Sequence, residues 1–168
     1  EYLLTHLLGS PLQIQKIFSL LSGDKNIGFI YPHNSTVLPY WANTWLSNKT
    51  NGYILCKKLG IADFPMGYFD FPAGSMFWAQ SKALQPLFNT HLSIEDFPEE
   101  AGQTDATLAH CIERLFVLVT RKSGHNAVIL WDKQSNHWSR WRIDQYLSHK
   151  PEDIHTQLRN SAIRLVVF

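Results

Sequence analysis

A chain of 168 residues, 45% hydrophobic and 17% charged, reads as one ordinary globular domain that can bury a core without metals or disulfides. Its formal net charge of +1 makes no strong field, so charge alone recommends neither nucleic acid nor a membrane as partner. Cys56 and Cys111, far apart in sequence, argue against a disulfide framework or zinc site; no apolar run is long enough to span a bilayer, and the N-terminus shows no signal-peptide pattern.

Residues 1 to 22 predict two helical pieces, because Ser10 before Pro11 is a helix-start pair and Ile14, Ile17, Phe18 and Leu21 then fall on one face. Gly23 and Asp24 end the second piece. Ile27 to Tyr31 is short, β-branched and aromatic and stops at Pro32, as a buried strand does. A loop to Pro39 follows, then helices near 40 to 47 and 52 to 59, with Trp41 and Trp45, four apart, expected to pack in the core rather than to form a sugar platform. The triplets Asn34-Ser35-Thr36 and Asn48-Lys49-Thr50 have the glycosylation pattern but are too short to weigh heavily.

After the turn at Pro72, Ala73 and Gly74, residues Ser75 to Gln80 suit a strand, and Ser81 is placed to cap a short helix with Ala83, Leu84, Leu87 and Phe88 inward. Glu95, Asp96, Glu99, Glu100 and Asp105 then form an acidic stretch with no basic residue, which on charge alone reads as a solvated loop. Thr104 is a candidate cap for a helix carrying Leu108, Cys111, Ile112, Leu115, Phe116 and Val119 on one side, which sets Asp105 in its first turn, where the helix dipole favours a carboxylate. Ala127 to Trp131 reads as a strand, Trp138 to Leu147 and Pro151 to Leu158 as helices, and Ile163 to Phe168 as a last strand. Arg140 and Arg142 suit phosphate by shape, although solubility is their commoner job. The whole is α/β, a mixed sheet flanked by helices, in a single domain over 1–168.

No Gly-x-Gly-x-x-Gly, Walker loop, His-Glu-x-x-His, Gly-x-Ser-x-Gly or Asp-x-Asp occurs, so the chain carries none of the local signatures of those sites. His110, five residues after Asp105, lies well around a helix from it and reads as a surface or capping histidine rather than a partner ligand, and no metal-binding residues are assigned. The chemistry-bearing stretch is Phe69 to Arg114, where a broken aromatic run, a short helix, an acidic loop and a second helix follow one another.

Within it, Phe71-Pro72-Ala73-Gly74-Ser75-Met76-Phe77-Trp78-Ala79, then Glu95-Asp96-Phe97-Pro98-Glu99-Glu100, then Gly102-Gln103-Thr104-Asp105 with Thr107-Leu108-Ala109-His110 and Glu113-Arg114, closely resemble the rhamnan synthesis protein F family. The likeness is dense from 67 to 116, weaker from 3 to 60 through Leu7-Leu8-Gly9-Ser10 and Ile27-Gly28-Phe29-Ile30, and stops near 125. It implies a glycosyltransferase-like module of cell-surface polysaccharide synthesis, resembling the C-terminal, acceptor half of an A-type glycosyltransferase, with α-L-rhamnosyl transfer from dTDP-β-L-rhamnose to a glycan acceptor. A β donor and an α product mean inversion, which needs a carboxylate base at the acceptor hydroxyl.

On this resemblance Asp105 is the first choice for the base, Asp96 the second and Glu95 the third. Gly74 and Ser75 would let the backbone approach a sugar, Trp78 would stack on it or pack, and Glu99, Glu100 and Gln103 would orient hydroxyls. The family has a further part before the Leu7-Leu8-Gly9-Ser10 match, where a nucleotide-binding half and any divalent metal would lie. The expectation is therefore a fragment of a longer cytoplasmic protein, at the inner face of the membrane, inactive alone. A carbohydrate-binding or partner-docking module without catalysis is the alternative.

Overall fold

The computed structural model describes residues 1–34, 38–99, 101–131 and 163–167. In chain order these form α1 (Tyr2–Leu8), α2 (Pro11–Gly23), β1 (Ile27–Pro32), α3 (Lys49–Lys58), β2 (Trp78–Ala79), α4 (Gln85–Phe88), α5 (Leu108–Lys122), β3 (Asn126–Trp131) and β4 (Ile163–Val167). The strands make one mixed sheet in the order β2-β1-β3-β4, with β2 antiparallel to β1 and the other pairings parallel. The helices predicted at 138–147 and 151–158, and Arg140 and Arg142, fall outside the described residues.

Alternation along the central strands sorts the core into two layers. Phe29 and Tyr31 of β1 and Ala127 and Ile129 of β3 face α3 and α5, where they meet Leu55, Cys56, Cys111 and Leu115. Ile30, Val128 and Leu130 face the opposite way, toward Leu7 of α1 and Ile17 of α2. Ile27 joins this second layer despite its odd spacing from Ile30, because the register shifts between Ile27 and Phe29. Both faces of β1 are thus covered, which explains its unbroken apolar sequence.

Local signals hold where they are self-contained. Ser10 Oγ accepts from the Gln13 N–H (3.1 Å), Pro11 takes the first helical position, and α2 ends at Gly23. In α2 Ile17 is fully buried, while Phe18 is half exposed and sets its ring edge-on against Trp78 (5.1 Å). Cys111, Leu115 and Val119 of α5 are buried as expected, with Leu108, Ile112 and Phe116 packed partly beside them.

Several expectations fail for tertiary reasons. Residues 40 to 47 form no α-helix; they form 3₁₀ turns at Tyr40–Ala42 and Leu46–Asn48, the second running directly into α3. Trp45 is therefore buried (2% exposed) while Trp41 is not (54%). The Trp45 indole lies over Gly52, where a Cβ would come within 2.5 Å of the ring, and donates from Nε1 to the Pro65 carbonyl (2.8 Å). The strand expected over 75 to 80 shrinks to Trp78–Ala79, since Ser75 sits in the left-handed region (φ +53°). Ser81 does not cap: Gln80 precedes the 3₁₀ turn Ser81–Leu84 and spends its amide on the Leu21 and Ile27 carbonyls (both 2.9 Å). Ala83, Leu84 and Leu87 are buried, but Phe88, at the end of the one-turn α4, points outward.

Candidate functional site

α5 returns through a short turn at Ser123–His125 into β3 and packs on it, so the helix runs opposite to the parallel strands and its start lies beside their carboxyl ends. In open α/β sheets that edge is where ligands bind. β1 leaves the sheet through His33 and Asn34, both buried. Asn34 donates to Asn43 Oδ1 (2.6 Å) and accepts from the Ala73 N–H (3.2 Å), which ties the strand exit to the loop after Phe71.

That loop is a tight turn in which the Ser75 N–H donates to the Pro72 carbonyl (2.8 Å), with Gly74 at φ +89° and Ser75 at φ +53°. Glu113 holds it from α5: its Oε1 accepts from the Gly74 N–H (2.6 Å) and lies 3.4 Å from Ser75 Oγ. Gly74, Ser75 and the start of α5, separated by about forty positions, are thus brought together.

One residue further along α5, Arg114 is buried with its side chain 5% exposed. Its Nε donates to the Thr44 carbonyl and its Nη1 to the His110 carbonyl (both 2.9 Å), while the guanidinium lies 4.8 Å above the Phe71 ring. Its Nη2 stands 3.3 Å from Asp105 Oδ1, and Nη1 stands 3.8 Å from Glu113 Oε2. Burial pulls the Arg114 pKa down from its usual range, opposed by the charges of Asp105 and Glu113.

Asp105 does not sit in the first turn of this helix. Ala106 adopts φ +71°, which no continuing helix allows, and the cap is Thr107, not Thr104: Thr107 Oγ1 accepts from the His110 N–H (3.3 Å) and contacts His110 Nδ1 (2.7 Å). Asp105 reaches instead to the turn before α3, where Oδ2 accepts from the Ser47 N–H (3.1 Å) and Oδ1 from Asn48 Nδ2 (2.5 Å). Burial pushes its pKa up, but Asn48, the Ser47 N–H, Arg114 and the Ala106 N–H outweigh that and hold it below the usual aspartate range. At neutral pH the group is a carboxylate.

The remaining sequence-predicted residues have other hydrogen bonds. Trp78 packs against α1 and α2, its Nε1 donating to the Leu7 carbonyl (3.3 Å). Asp96 accepts from the Ser93 N–H (2.7 Å) and Oγ (3.2 Å) in the 3₁₀ turn Ile94–Asp96, and Glu95 beside it is exposed. Glu99 is exposed, and its carbonyl accepts from Gln103 Nε2 (2.8 Å), whose Oε1 accepts from the Ala101 N–H (2.9 Å), so Gln103 braces its own loop. Glu100 lies outside the described residues. Among the described residues no three His, Cys, Asp or Glu side chains gather closely enough to hold a metal ion, and no helix is long and apolar enough to cross a membrane.

Reading residue types in order missed Asn34, Asn43, Asn48 and the structural parts of Glu113 and Arg114. A signal for Arg114 was present: it is charged, yet flanked at helical spacing by Cys111, Leu115, Val117 and Leu118, all buried. The two asparagines of the glycosylation triplets, Asn34 and Asn48, are buried with their amides donating, so neither is open to modification in this fold.

The class of protein so defined is an α/β domain with a polar cluster at the carboxyl ends of its parallel strands. The chain belongs to the rhamnan synthesis protein F family, whose sequence model matches residues 2–125. It is similar to WxcX, described as an uncharacterized protein, from two strains of Xanthomonas campestris pv. campestris: each is 36% identical over 123 residues, 73% of this chain. The chain spans 17% of the length of those curated relatives. No solved structure matches at a significant level. Family membership ties the chain to rhamnan and polysaccharide synthesis.

Proposed function

We propose that this domain is the acceptor half of an inverting rhamnosyltransferase, moving L-rhamnose from dTDP-rhamnose to a growing glycan on the cytoplasmic side of the membrane. The observation that carries the reading is the convergence of the Pro72–Ser75 turn with Asp105, Glu113 and Arg114 at the carboxyl edge of the sheet. The nucleotide-sugar donor, in this reading, is held by another part of the longer protein, and no step is assigned to a metal.

Asp105 is the proposed base. It is ionised at neutral pH and its side chain is 21% exposed, but its lowered pKa makes it a weak acceptor of protons. Such a base serves when the acceptor oxygen has already begun to bond to the anomeric carbon, because that oxygen is then strongly acidic. Asp96 and Glu95, on their exposed turn, are the second and third choices. Gly74 and Ser75 offer an exposed backbone edge to the acceptor sugar, and Glu99, Glu100 and Gln103 supply hydroxyl partners from the acidic loop.

The test is turnover of dTDP-rhamnose by the complete protein carrying Asp105→Asn, with folding checked by thermal unfolding. A base should be worth on the order of a hundredfold in rate; an unchanged rate removes Asp105 from the role. A second reading, a carbohydrate-binding module without catalysis, is favoured by one observation: both Asp105 oxygens already serve Arg114, Asn48 and Ser47, as in a structural ion pair. Glycan binding without turnover in the complete protein would select it.

A further inference from the structure

We propose that Trp41 is the platform on which a sugar ring of the glycan stacks, an inference that rests on the glycan-binding reading above. Trp41 and Trp45 are four positions apart and would share a face in an α-helix. Here the chain makes two separate 3₁₀ turns, with Leu46 at φ +47°, and the two rings part: Trp45 goes into the core, Trp41 outward at 54% exposure. A Trp is among the costliest side chains to leave in water, and this half-exposed one stands just before the residues tied to the polar cluster, where a ligand covering it gains the most.

The turn is ordered by the site itself. The Trp41 carbonyl accepts from Thr44 Oγ1 (3.0 Å), the Thr44 carbonyl accepts from Arg114 Nε (2.9 Å), and three residues on the Ser47 N–H reaches Asp105 (3.1 Å). On its other side Ala42 and Asn43 are buried, and Asn43 receives the Asn34 amide. The residues that follow Trp41 are thus fastened to the cluster that holds the Pro72–Ser75 turn, so little of this backbone has to be ordered on binding.

The ligand chemistry follows from the ring. The face of an indole is electron-rich and attracts the weakly positive C–H groups that line one face of a pyranose. A 6-deoxy sugar such as rhamnose adds a methyl group to its apolar surface, which enlarges the area that an indole face covers.

The experiment titrates the complete protein, as wild type, Trp41→Ala and Trp41→Phe, with a rhamno-oligosaccharide by calorimetry, and records Tm for each. Expected are a loss of about tenfold or more in affinity for Trp41→Ala, a smaller loss for Trp41→Phe, and Tm unchanged in both. Unchanged affinity in Trp41→Ala overturns the platform and leaves the glycan-binding reading standing. A weaker affinity that comes with a lowered Tm marks Trp41 as a packing residue and also overturns it. A wild-type protein that binds no glycan overturns both.

Discussion

Arg114 and Asp105, nine positions apart and on either side of a helix cap, form an ion pair 3.3 Å long whose cationic partner is almost wholly buried. Removing the Asp105 charge leaves buried Arg114 with only the more distant Glu113 (3.8 Å), which costs more than the pair contributes. Asp105→Asn is therefore expected to destabilise the protein by about 1–3 kcal/mol, read from urea unfolding at pH 7. The pH dependence has a definite sign. The folded carboxyl is depressed below its unfolded value of 3.8, so its stabilisation is complete above that pH and is lost as pH falls through the folded value. The gap between wild type and Asp105→Asn should narrow below pH 3.8; a gap constant down to pH 2 would show that the shift is not felt in folding.

Glu113 holds the Gly74 N–H across about forty residues of chain. Glu113→Ala should speed amide exchange at Gly74 and Ser75 and cost about 1–2 kcal/mol, whereas Glu113→Gln, which keeps an acceptor oxygen, should lose less. Equal exchange rates in all three proteins would mean that the Pro72 to Ser75 turn keeps its shape without the helix.

Ala106 holds a left-handed backbone at φ +71°, where a Cβ is strained. Ala106→Gly should raise stability by about 0.5–1 kcal/mol, despite the greater freedom of glycine in the unfolded chain. Thermal unfolding decides it, and a lowered Tm would refute the assigned conformation.

Gly52 lies within α3, where helix propensity alone favours alanine by about 1 kcal/mol. The Trp45 ring leaves no room for the methyl group, so Gly52→Ala is expected to destabilise by about 1–3 kcal/mol. Denaturant midpoints suffice to tell gain from loss.

Burial pushes the Cys56 thiol up to about 11 and the Cys111 thiol up to about 12, and both are free. Neither should react with a thiol reagent at pH 7.5 until the protein unfolds. Mass spectrometry after brief alkylation checks this, and rapid labelling of either in native protein would contradict its packing.

Much of this molecule was legible from residue order, and the legible parts share a cause. Ser10-Pro11, the apolar run Ile27 to Tyr31, the apolar side of α5 and the strands at 127 and 163 are set by neighbours within a few positions, where capping and periodicity act. The motifs around Gly74, Glu95 and Asp105 likewise sufficed to indicate the family. What only the tertiary structure decided are the pairings between distant segments: Asp105 turned toward Ser47 and Asn48 instead of its own helix, Glu113 clasping Gly74, Arg114 buried over Phe71, and Trp41 parted from Trp45. The physical reason is that a buried charge or an amide takes whichever partner the packed sheet and helices bring within hydrogen-bonding reach, and nothing in a short window of sequence encodes that partner.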